Sequence, residues 1–235
     1  MKPPTPKGEE LLQMEDNTFN MPTEPTPPPG RRVDRSGGGG LGIIRYGAGN
    51  IFSLTAALER LGIDYGMVHS EPDFEQFDRF IIPGVGHAGA AMNKLIQSGM
   101  VDKIKSLQKP TLGICVGMQL LTAHSEEGDA NMLNIFPIQT KKFADSNEYK
   151  VPHTGWNRVD QETDNSLFKN IPNGSHFYFV HSYFIEFNKA YTLASTTYST
   201  KFSASIWKDN FYAVQFHPEK SGMYGEQLLT NFSKL

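Results

Sequence analysis

A strand that runs into a helix through two glycines is the strongest constraint on the fold of this chain. Residues 111–114 predict a short buried strand and residues 116 to about 124 predict a helix, so Cys115 lies at the turn between them. Small residues allow the sharp bend of a nucleophile elbow, and Gly-Ile-Cys-Val-Gly (113–117) has that pattern. A lone cysteine is often a small buried hydrophobe, but the flanking glycines favour an exposed thiol at a helix N-terminus. We therefore predict that Cys115, the one cysteine in the chain, is a nucleophile.

A general base for this thiol is found in the C-terminal part of the chain. His217 and Glu219 lie two residues apart in a segment rich in β-formers, so on an extended strand their side chains would point to the same side. A carboxylate beside an imidazole can orient it, which predicts a Cys-His-Glu relay with Cys115. His-Pro-Glu alone is more typical of a surface turn, and the prediction depends on the elbow upstream.

A glycine-rich turn follows a third apolar segment. Residues 80–82 continue into Pro-Gly-Val-Gly (83–86), and a helical pattern begins at residue 88. Glycines let backbone N–H groups approach a ligand without a side chain between them, as an oxyanion hole requires. A plain strand-to-helix turn is the alternative, and the glycine spacing fits a dinucleotide fingerprint poorly.

The remaining pattern predicts one α/β domain over residues 41–235. Short apolar strands alternate with amphipathic helices up to about residue 133, and the later segments are rich in β-formers. Strands are predicted at 41–45, 65–68, 79–82, 177–184 and 191–198, a hairpin at 203–215 turning at 209–210, and helices at 51–61, 88–107 and 224–232. This order indicates a mixed central sheet flanked by helices, with the nucleophile at the carboxyl end of a central strand.

Residues 1–40 have a different composition. They contain eight prolines and end in four consecutive glycines, so they bury too little apolar surface to offset their ordering entropy. We predict a disordered tail or a linker added for expression. A proline-rich docking peptide is the alternative.

Composition excludes several classes of function. The net charge of −3 does not suggest binding to nucleic acid or to an anionic membrane. One cysteine precludes an intramolecular disulfide, and there is neither a membrane-spanning apolar run nor a signal peptide, so we expect a cytoplasmic protein. No Cys, His, Asp or Glu cluster has metal-ligand spacing, and we expect neither a metal nor a cofactor.

The elbow, the glycine turn and the His-Pro-Glu segment, in this order, resemble the class I (triad) glutamine amidotransferases. Three further segments are similar to those of the glutaminase subunits of imidazole glycerol phosphate synthase: Tyr-Gly-Ala-Gly-Asn (46–50), Pro-His-Thr-Gly-Trp-Asn (152–157) and Phe-Val-His-Ser-Tyr (179–183). The resemblance implies hydrolysis of L-glutamine through a thioester on the cysteine. It also implies a heterodimer in which ammonia passes to a (β/α)8 barrel subunit that forms imidazole glycerol phosphate and AICAR in histidine biosynthesis.

The resemblance also implies roles for individual residues. The triad would be Cys115, His217 and Glu219, the oxyanion strand Gly84, Val85 and Gly86, the glutamine pocket Gly117, Gln119, His181, Ser182 and Tyr183, and the partner face Asn50, His153, Trp156 and Lys220.

Three alternative functions remain open from the sequence. An accessory paralogue that supplies ammonia for sugar amidation would keep the same motifs. A catalytically silent regulatory protein of this fold is disfavoured because the complete triad is present. A cysteine peptidase of this fold would have no need for the 152–157 segment.

Overall fold

The computed structural model describes residues 40–49, 51–144 and 146–235, so the predicted tail lies almost wholly outside the described residues. Its first half alternates strands and helices, as the sequence pattern predicts. The elements are β1 (Gly40–Ile44), α1 (Ile51–Arg60), β2 (Tyr65–Val68), β3 (Phe77–Gly84), α2 (Ala88–Gln97), α3 (Val101–Lys105), β4 (Thr111–Cys115) and α4 (Val116–Leu120). Three 3₁₀ helices complete the chain, at Glu71–Gln76, Ser166–Phe168 and Pro218–Lys220.

The second half is mostly strand and ends in a helix. Its elements are β5 (His124–Ser125), β6 (Ala130–Asn131), β7 (Gln139–Lys142), β8 (His153–Gln161), β9 (Ser175–His181), β10 (Tyr183–Ile185), β11 (Thr192–Tyr198), β12 (Thr200–Lys208), β13 (Phe211–Val214) and α5 (Gly222–Phe232). The predicted segment 177–184 is divided between β9 and β10, which belong to different sheets.

Two predicted helices differ from the structure. The helix expected at 116–124 ends at Leu120, because the chain turns there and the Thr122 hydroxyl donates to the Gln119 carbonyl at 2.7 Å. The segment expected as one or two helices at 88–107 forms two, separated by Gly99 with a positive φ of 72°. Glycine adopts this left-handed conformation without the steric cost that other residues incur.

Within the described residues, nine strands form one mixed sheet in the order β2-β1-β3-β4-β13-β12-β11-β8-β9. The pairs from β2 to β13 are parallel, and those from β13 to β9 are antiparallel. A smaller sheet has the order β10-β7-β5-β6. Strand β4 therefore lies inside the large sheet with Cys115 at its carboxyl end, which confirms the predicted α/β class. Ligands commonly bind at this edge of parallel sheets.

The core follows from the apolar runs of the parallel strands. Strands β1 and β4 are buried at every position, as is typical of parallel strands covered by helices on both faces. Among the described residues, no helix has the length and apolar character needed to cross a membrane. In the same part of the chain, no group of three or more His, Cys, Asp or Glu residues is arranged to hold a metal ion.

Candidate active site

The elbow at Cys115 has a strained backbone. Cys115 has φ 55° and ψ −111°, between the end of β4 and the start of α4. A positive φ is uncommon for a residue with a side chain, and such strain is concentrated at functional sites. Gly117 allows α4 to approach β3 closely, because a Cβ at this position would collide with the Ile82 carbonyl oxygen. The glycine-flanked turn predicted from sequence is therefore present.

The expected exposure of the thiol is wrong. Cys115 is only 4% exposed. Beside it lies a cavity of about 10 Å³, lined by Leu54, Pro83, Gly84, Val85, Ile114, His217 and Glu219. This volume corresponds to about one water molecule, far below that of an amino-acid ligand. The thiol therefore lies in a closed site, because the turn after β3 and the segment after β13 pack over it.

The predicted base and carboxylate are in contact. His217 Nδ1 and Glu219 Oε1 are 2.7 Å apart, and both side chains are buried. The strand expected to carry them ends at Val214, and Glu219 lies in the 3₁₀ helix Pro218–Lys220. This tight turn, and not a strand's alternation, brings the carboxylate to the imidazole. Ser221 fixes the turn, since its hydroxyl donates to the His217 carbonyl at 2.6 Å and accepts from the Tyr178 N–H at 3.0 Å.

The electrostatics of His217 favour its protonated form. Burial alone would lower the pKa of His217, but hydrogen bonding and charge from Cys115 and Glu219 outweigh burial and raise the pKa to about 10. Nε2 of His217 is buried without a partner of standard hydrogen-bond geometry among the described residues. Because Nδ1 is held by Glu219, Nε2 is the nitrogen available to the thiol.

The oxyanion segment lies directly beside the nucleophile. Gly84 is the aligned neighbour of Cys115 across the β3–β4 pair. Gly86 has a φ of 84°, and Val85 between the two glycines is 40% exposed. The Tyr46 hydroxyl donates to the Pro83 carbonyl at 2.7 Å and so anchors the end of this strand. The segment is therefore held at Pro83 and has glycine freedom beyond it.

The residues expected to form the glutamine pocket are divided between two environments. Gly117 and Gln119 lie on α4 next to the nucleophile, and Gln119 Nε2 donates to the Tyr183 carbonyl at 3.4 Å. Oε1 of Gln119 is buried and has no hydrogen-bond partner among the described residues, so it can accept from a ligand. Ser182 and Tyr183 are half-buried, whereas His181 is buried behind them.

His181 forms a pair with His153 inside the protein. His181 Nδ1 lies 2.7 Å from the Tyr183 carbonyl and donates to it, which leaves Nε2 as an acceptor for His153 Nδ1 at 3.0 Å. His153 is also stacked on the ring of Tyr198, with centroids 4.0 Å apart. The expectation that His153 faces a partner is therefore corrected, because its side chain is packed behind the surface and does not reach it.

This pair predicts an acid-sensitive fold. Burial lowers the pKa of His153 to about 4 and that of His181 to about 3. The unfolded chain takes up protons on both residues below about pH 6.5, whereas the folded protein does not until about pH 4. The free energy of unfolding should therefore fall as the pH decreases through this window, by on the order of 2 kcal/mol at about pH 5. Urea unfolding at several pH values measures this loss.

A histidine replacement isolates this contribution from that of the carboxylates. His153→Asn should reduce the loss between pH 7 and pH 5, whereas His176→Asn, at an exposed position of β9, should leave it unchanged. An equal acid dependence in the parent and in His153→Asn would contradict the prediction.

Of the residues expected on a partner face, two are at the surface. Trp156 on β8 is 57% exposed, and Lys220 is exposed at the end of its 3₁₀ helix. Asn50 lies outside the described residues. The Trp156 and Tyr178 rings are in contact, with centroids 6.1 Å apart, and the Tyr178 carbonyl accepts from the His217 N–H at 2.9 Å. Trp156 is thus two contacts away from the base.

The sequence interpretation missed a residue that supports the site. Glu127 Oε2 accepts from the Ala88 N–H at 2.7 Å, at the N-terminus of α2 just after the oxyanion segment. Gly128 lies against His87, where a Cβ would come within 2.6 Å of the imidazole. No spacing rule connects residues about 40 positions apart, so this contact was not predictable from the pattern.

Comparison with known proteins supports the chemistry of this site. The family model "Glutamine amidotransferase class-I" matches residues 43–234. Imidazole glycerol phosphate synthase subunit HisH of Bacteroides thetaiotaomicron is 45% identical over 196 residues, which cover 83% of this chain and 99% of that protein. Subunit HisH 2 of Campylobacter jejuni strain RM1221 is 44% identical over 82% of this chain and 96% of its own length.

Solved structures share the fold at lower identity. A putative GMP synthase component from Thermoplasma acidophilum has a TM-score of 0.65 at 22% identity, covering 84% of this chain and 94% of that chain. PurLQS from Thermotoga maritima has a TM-score of 0.62 at 15% identity, covering 83% and 98% respectively. The nucleophile elbow, the contact between base and carboxylate and these similarities agree: the chain belongs to the class I glutamine amidotransferases and, within them, to the HisH subunits of imidazole glycerol phosphate synthase.

Proposed function

We propose that this chain hydrolyses L-glutamine to glutamate and ammonia through a γ-glutamyl thioester on Cys115. It would deliver the ammonia to a (β/α)8 barrel subunit, which forms imidazole glycerol phosphate and AICAR in the cytoplasm. The observation that carries the proposal is the contact between His217 and Glu219 beside the strained elbow at Cys115. HisH relatives at about 45% identity support the choice of partner.

In the first half of the reaction, Sγ of Cys115 attacks the amide carbon of glutamine. Nε2 of His217 takes the thiol proton and gives it to the leaving nitrogen, which departs as ammonia. Glu219 holds Nδ1 of His217 and stabilises the imidazolium, consistent with its raised pKa. In the second half, His217 removes a proton from water, the resulting hydroxide attacks the thioester, and glutamate leaves while the proton returns to the thiol.

Negative charge on the carbonyl oxygen needs backbone donors during both halves. We assign this role to the segment Gly84, Val85 and Gly86, which aligns with the nucleophile across β3 and β4. A rotation of the peptide between Val85 and Gly86 would present an N–H to the oxygen, and the positive φ of Gly86 shows that glycine freedom is used here. In the closed site, this rotation would also help to admit glutamine.

The exposed side chains beside the site support a docking role. Val85 and Trp156 are large apolar residues at the surface, and exposed Phe52 lies on α1, which contacts the 3₁₀ helix that carries Glu219. An exposed apolar patch of this kind is typical of an interaction surface. A barrel subunit bound here would cover the mouth of the site and receive the ammonia without its release into solvent.

We expect Trp156→Ala to uncouple the chain from its partner. Trp156 contacts Tyr178, which bonds the backbone of His217, so loss of the ring should weaken transmission to the base. Glutaminase turnover stimulated by the barrel partner with its nucleotide substrate should fall about 10-fold, a typical coupling energy, while KM for glutamine changes little. Lys220→Ala should act in the same direction, because the exposed Lys220 side chain belongs to the 3₁₀ helix that carries Glu219.

The chain has a matched control in its other tryptophan. Trp207 on β12 is also exposed, at 40%, and its ring contacts Tyr212 on the neighbouring strand. Trp207→Ala should leave stimulated turnover unchanged. Equal effects of the two tryptophan variants would contradict the assigned docking face, and full glutaminase activity of the isolated chain would indicate a free-standing hydrolase.

A second candidate differs only in the acceptor of the ammonia. One relative carries the name HisH 2, and its identity to this chain is within one percentage point of that of the Bacteroides subunit. An accessory paralogue would not respond to the nucleotide substrate of the histidine pathway. Stimulation of glutaminase activity by that nucleotide, in the complex with a barrel subunit, separates the two functions.

A further inference from the structure

A second side chain besides His217 contacts the nucleophile. Gln215 is fully buried, directly after β13 and two residues before His217. Its Nε2 donates to Sγ of Cys115 at 3.8 Å. Nothing in the roles assigned above uses this amide.

The surrounding hydrogen bonds fix which end of the Gln215 amide faces the sulfur. The Tyr183 carbonyl can only accept, so the Gln119 side chain must present its NH₂ group to it. The same Nε2 of Gln119 lies 3.4 Å from Gln215 Oε1, which must therefore accept. The nitrogen of Gln215 is left to face Cys115.

The buried histidines hold this arrangement from the other side. His181 Nδ1 donates to the same Tyr183 carbonyl at 2.7 Å, and His153 in turn bonds His181. A reversed Gln215 amide would place two acceptors, its own oxygen and the thiolate, against each other. It would also turn two NH₂ groups toward each other, so the network opposes reversal at both ends.

We propose that Gln215 is a further catalytic residue, whose amide N–H stabilises the thiolate of Cys115 by donating to Sγ. The inference rests on the proposed role of Cys115 as nucleophile. Gln215 makes and breaks no covalent bond and transfers no proton. It stabilises the charged sulfur twice in each cycle, before attack on glutamine and again when hydrolysis of the thioester expels the sulfur as a leaving group.

The structural alternative is that Gln215 only fills space in the core. Gln215→Met separates the two roles, because methionine is unbranched and of similar length but has no N–H donor. Since Cys115 is the one cysteine in the chain, alkylation by iodoacetamide followed by mass spectrometry reports on this thiol alone. We expect Gln215→Met to lower the alkylation rate constant at neutral pH about 10-fold, as for loss of a hydrogen bond to a charged group.

The pH profile distinguishes lost ionisation from lost access. Alkylation of Gln215→Met should converge with that of the parent at high pH, where both thiols are ionised. A rate equal to that of the parent at neutral pH, or a reduction of the same factor at every pH, would overturn the proposal. Gln139→Met, at an exposed position of β7, is the matched control and should react as the parent does.

A second variant keeps the test decisive if Gln215→Met does not fold. Gln215→Glu retains the shape, and its ionised carboxylate offers only acceptors to the sulfur, so its alkylation at neutral pH should be slower than that of the parent. Parent-like reactivity of this folded variant would refute a donor role. Glutamine turnover gives an independent readout, in which kcat should fall for Gln215→Met with KM little changed. If Cys115→Ser still hydrolyses glutamine, the proposed function is wrong, whereas the alkylation result stands on the thiol itself.

Discussion

Cys115→Ser should reduce glutamine turnover by roughly a million-fold, the scale observed when the nucleophile of a triad is removed. The serine hydroxyl is a far weaker nucleophile than a thiolate, and its position in the elbow does not compensate for this difference. The fold should persist, because serine is close to cysteine in size and the strained φ of 55° is imposed by the backbone on either side. Glutamate formation in the complex with a barrel subunit measures the loss.

Two measurements make this result specific to the nucleophile. Urea unfolding of Cys115→Ser should give a free energy of unfolding close to that of the parent, and glutamine should still bind. Turnover within 10-fold of the parent would show that the thioester mechanism is wrong for this chain. Loss of glutamine binding together with stability would instead indicate a damaged site.

Gly117→Ala should destabilise the fold by about 3 kcal/mol or more, as a severe overpacking substitution. Helix propensity predicts the opposite sign, since alanine is favoured over glycine inside a helix by about 1 kcal/mol. The close approach decides the outcome, because a Cβ at Gly117 would overlap the Ile82 carbonyl oxygen of β3. Chemical denaturation measures the change, and glutaminase activity should also be lost because the elbow and the oxyanion segment are forced apart.

A surface glycine gives the comparison. Gly62 has a φ of 64°, and a methyl group added there would have no atom within 4 Å, so Gly62→Ala isolates the cost of backbone conformation. That cost is about 1–2 kcal/mol. If Gly117→Ala is no more destabilising than Gly62→Ala, the packing argument for the elbow is incorrect.

The parts of the site that local sequence determines were predictable. The elbow is encoded by five consecutive residues, because a sharp strand-to-helix turn needs glycines on both sides of Cys115. The pairing of His217 with Glu219 followed from their short separation, although the sequence interpretation attributed it to a strand. The alternation of strands and helices before residue 133 likewise predicted the parallel part of the sheet that carries the nucleophile.

The features that were missed depend on contacts between distant segments. The burial of Cys115 arises because the chain after β13 packs over β4, 100 residues away. Gln215 looked like an ordinary strand residue, because alternation in a short β-segment does not reveal which core atom a side chain meets. His153 was placed at the surface since it shares a motif with exposed Trp156, but the two lie three residues apart on β8 and so face opposite sides of the strand.

The small cavity beside Cys115 has a consequence for measured affinities. A site with about 10 Å³ of space admits glutamine only in a conformation that differs from the closed one. The apparent dissociation constant then equals the intrinsic constant divided by the fraction of molecules that are open. The same fraction limits oxidants, so a reactive thiol is shielded until opening occurs. A partner that favours the open form would therefore tighten glutamine binding and, to the same extent, expose the sulfur to oxidation.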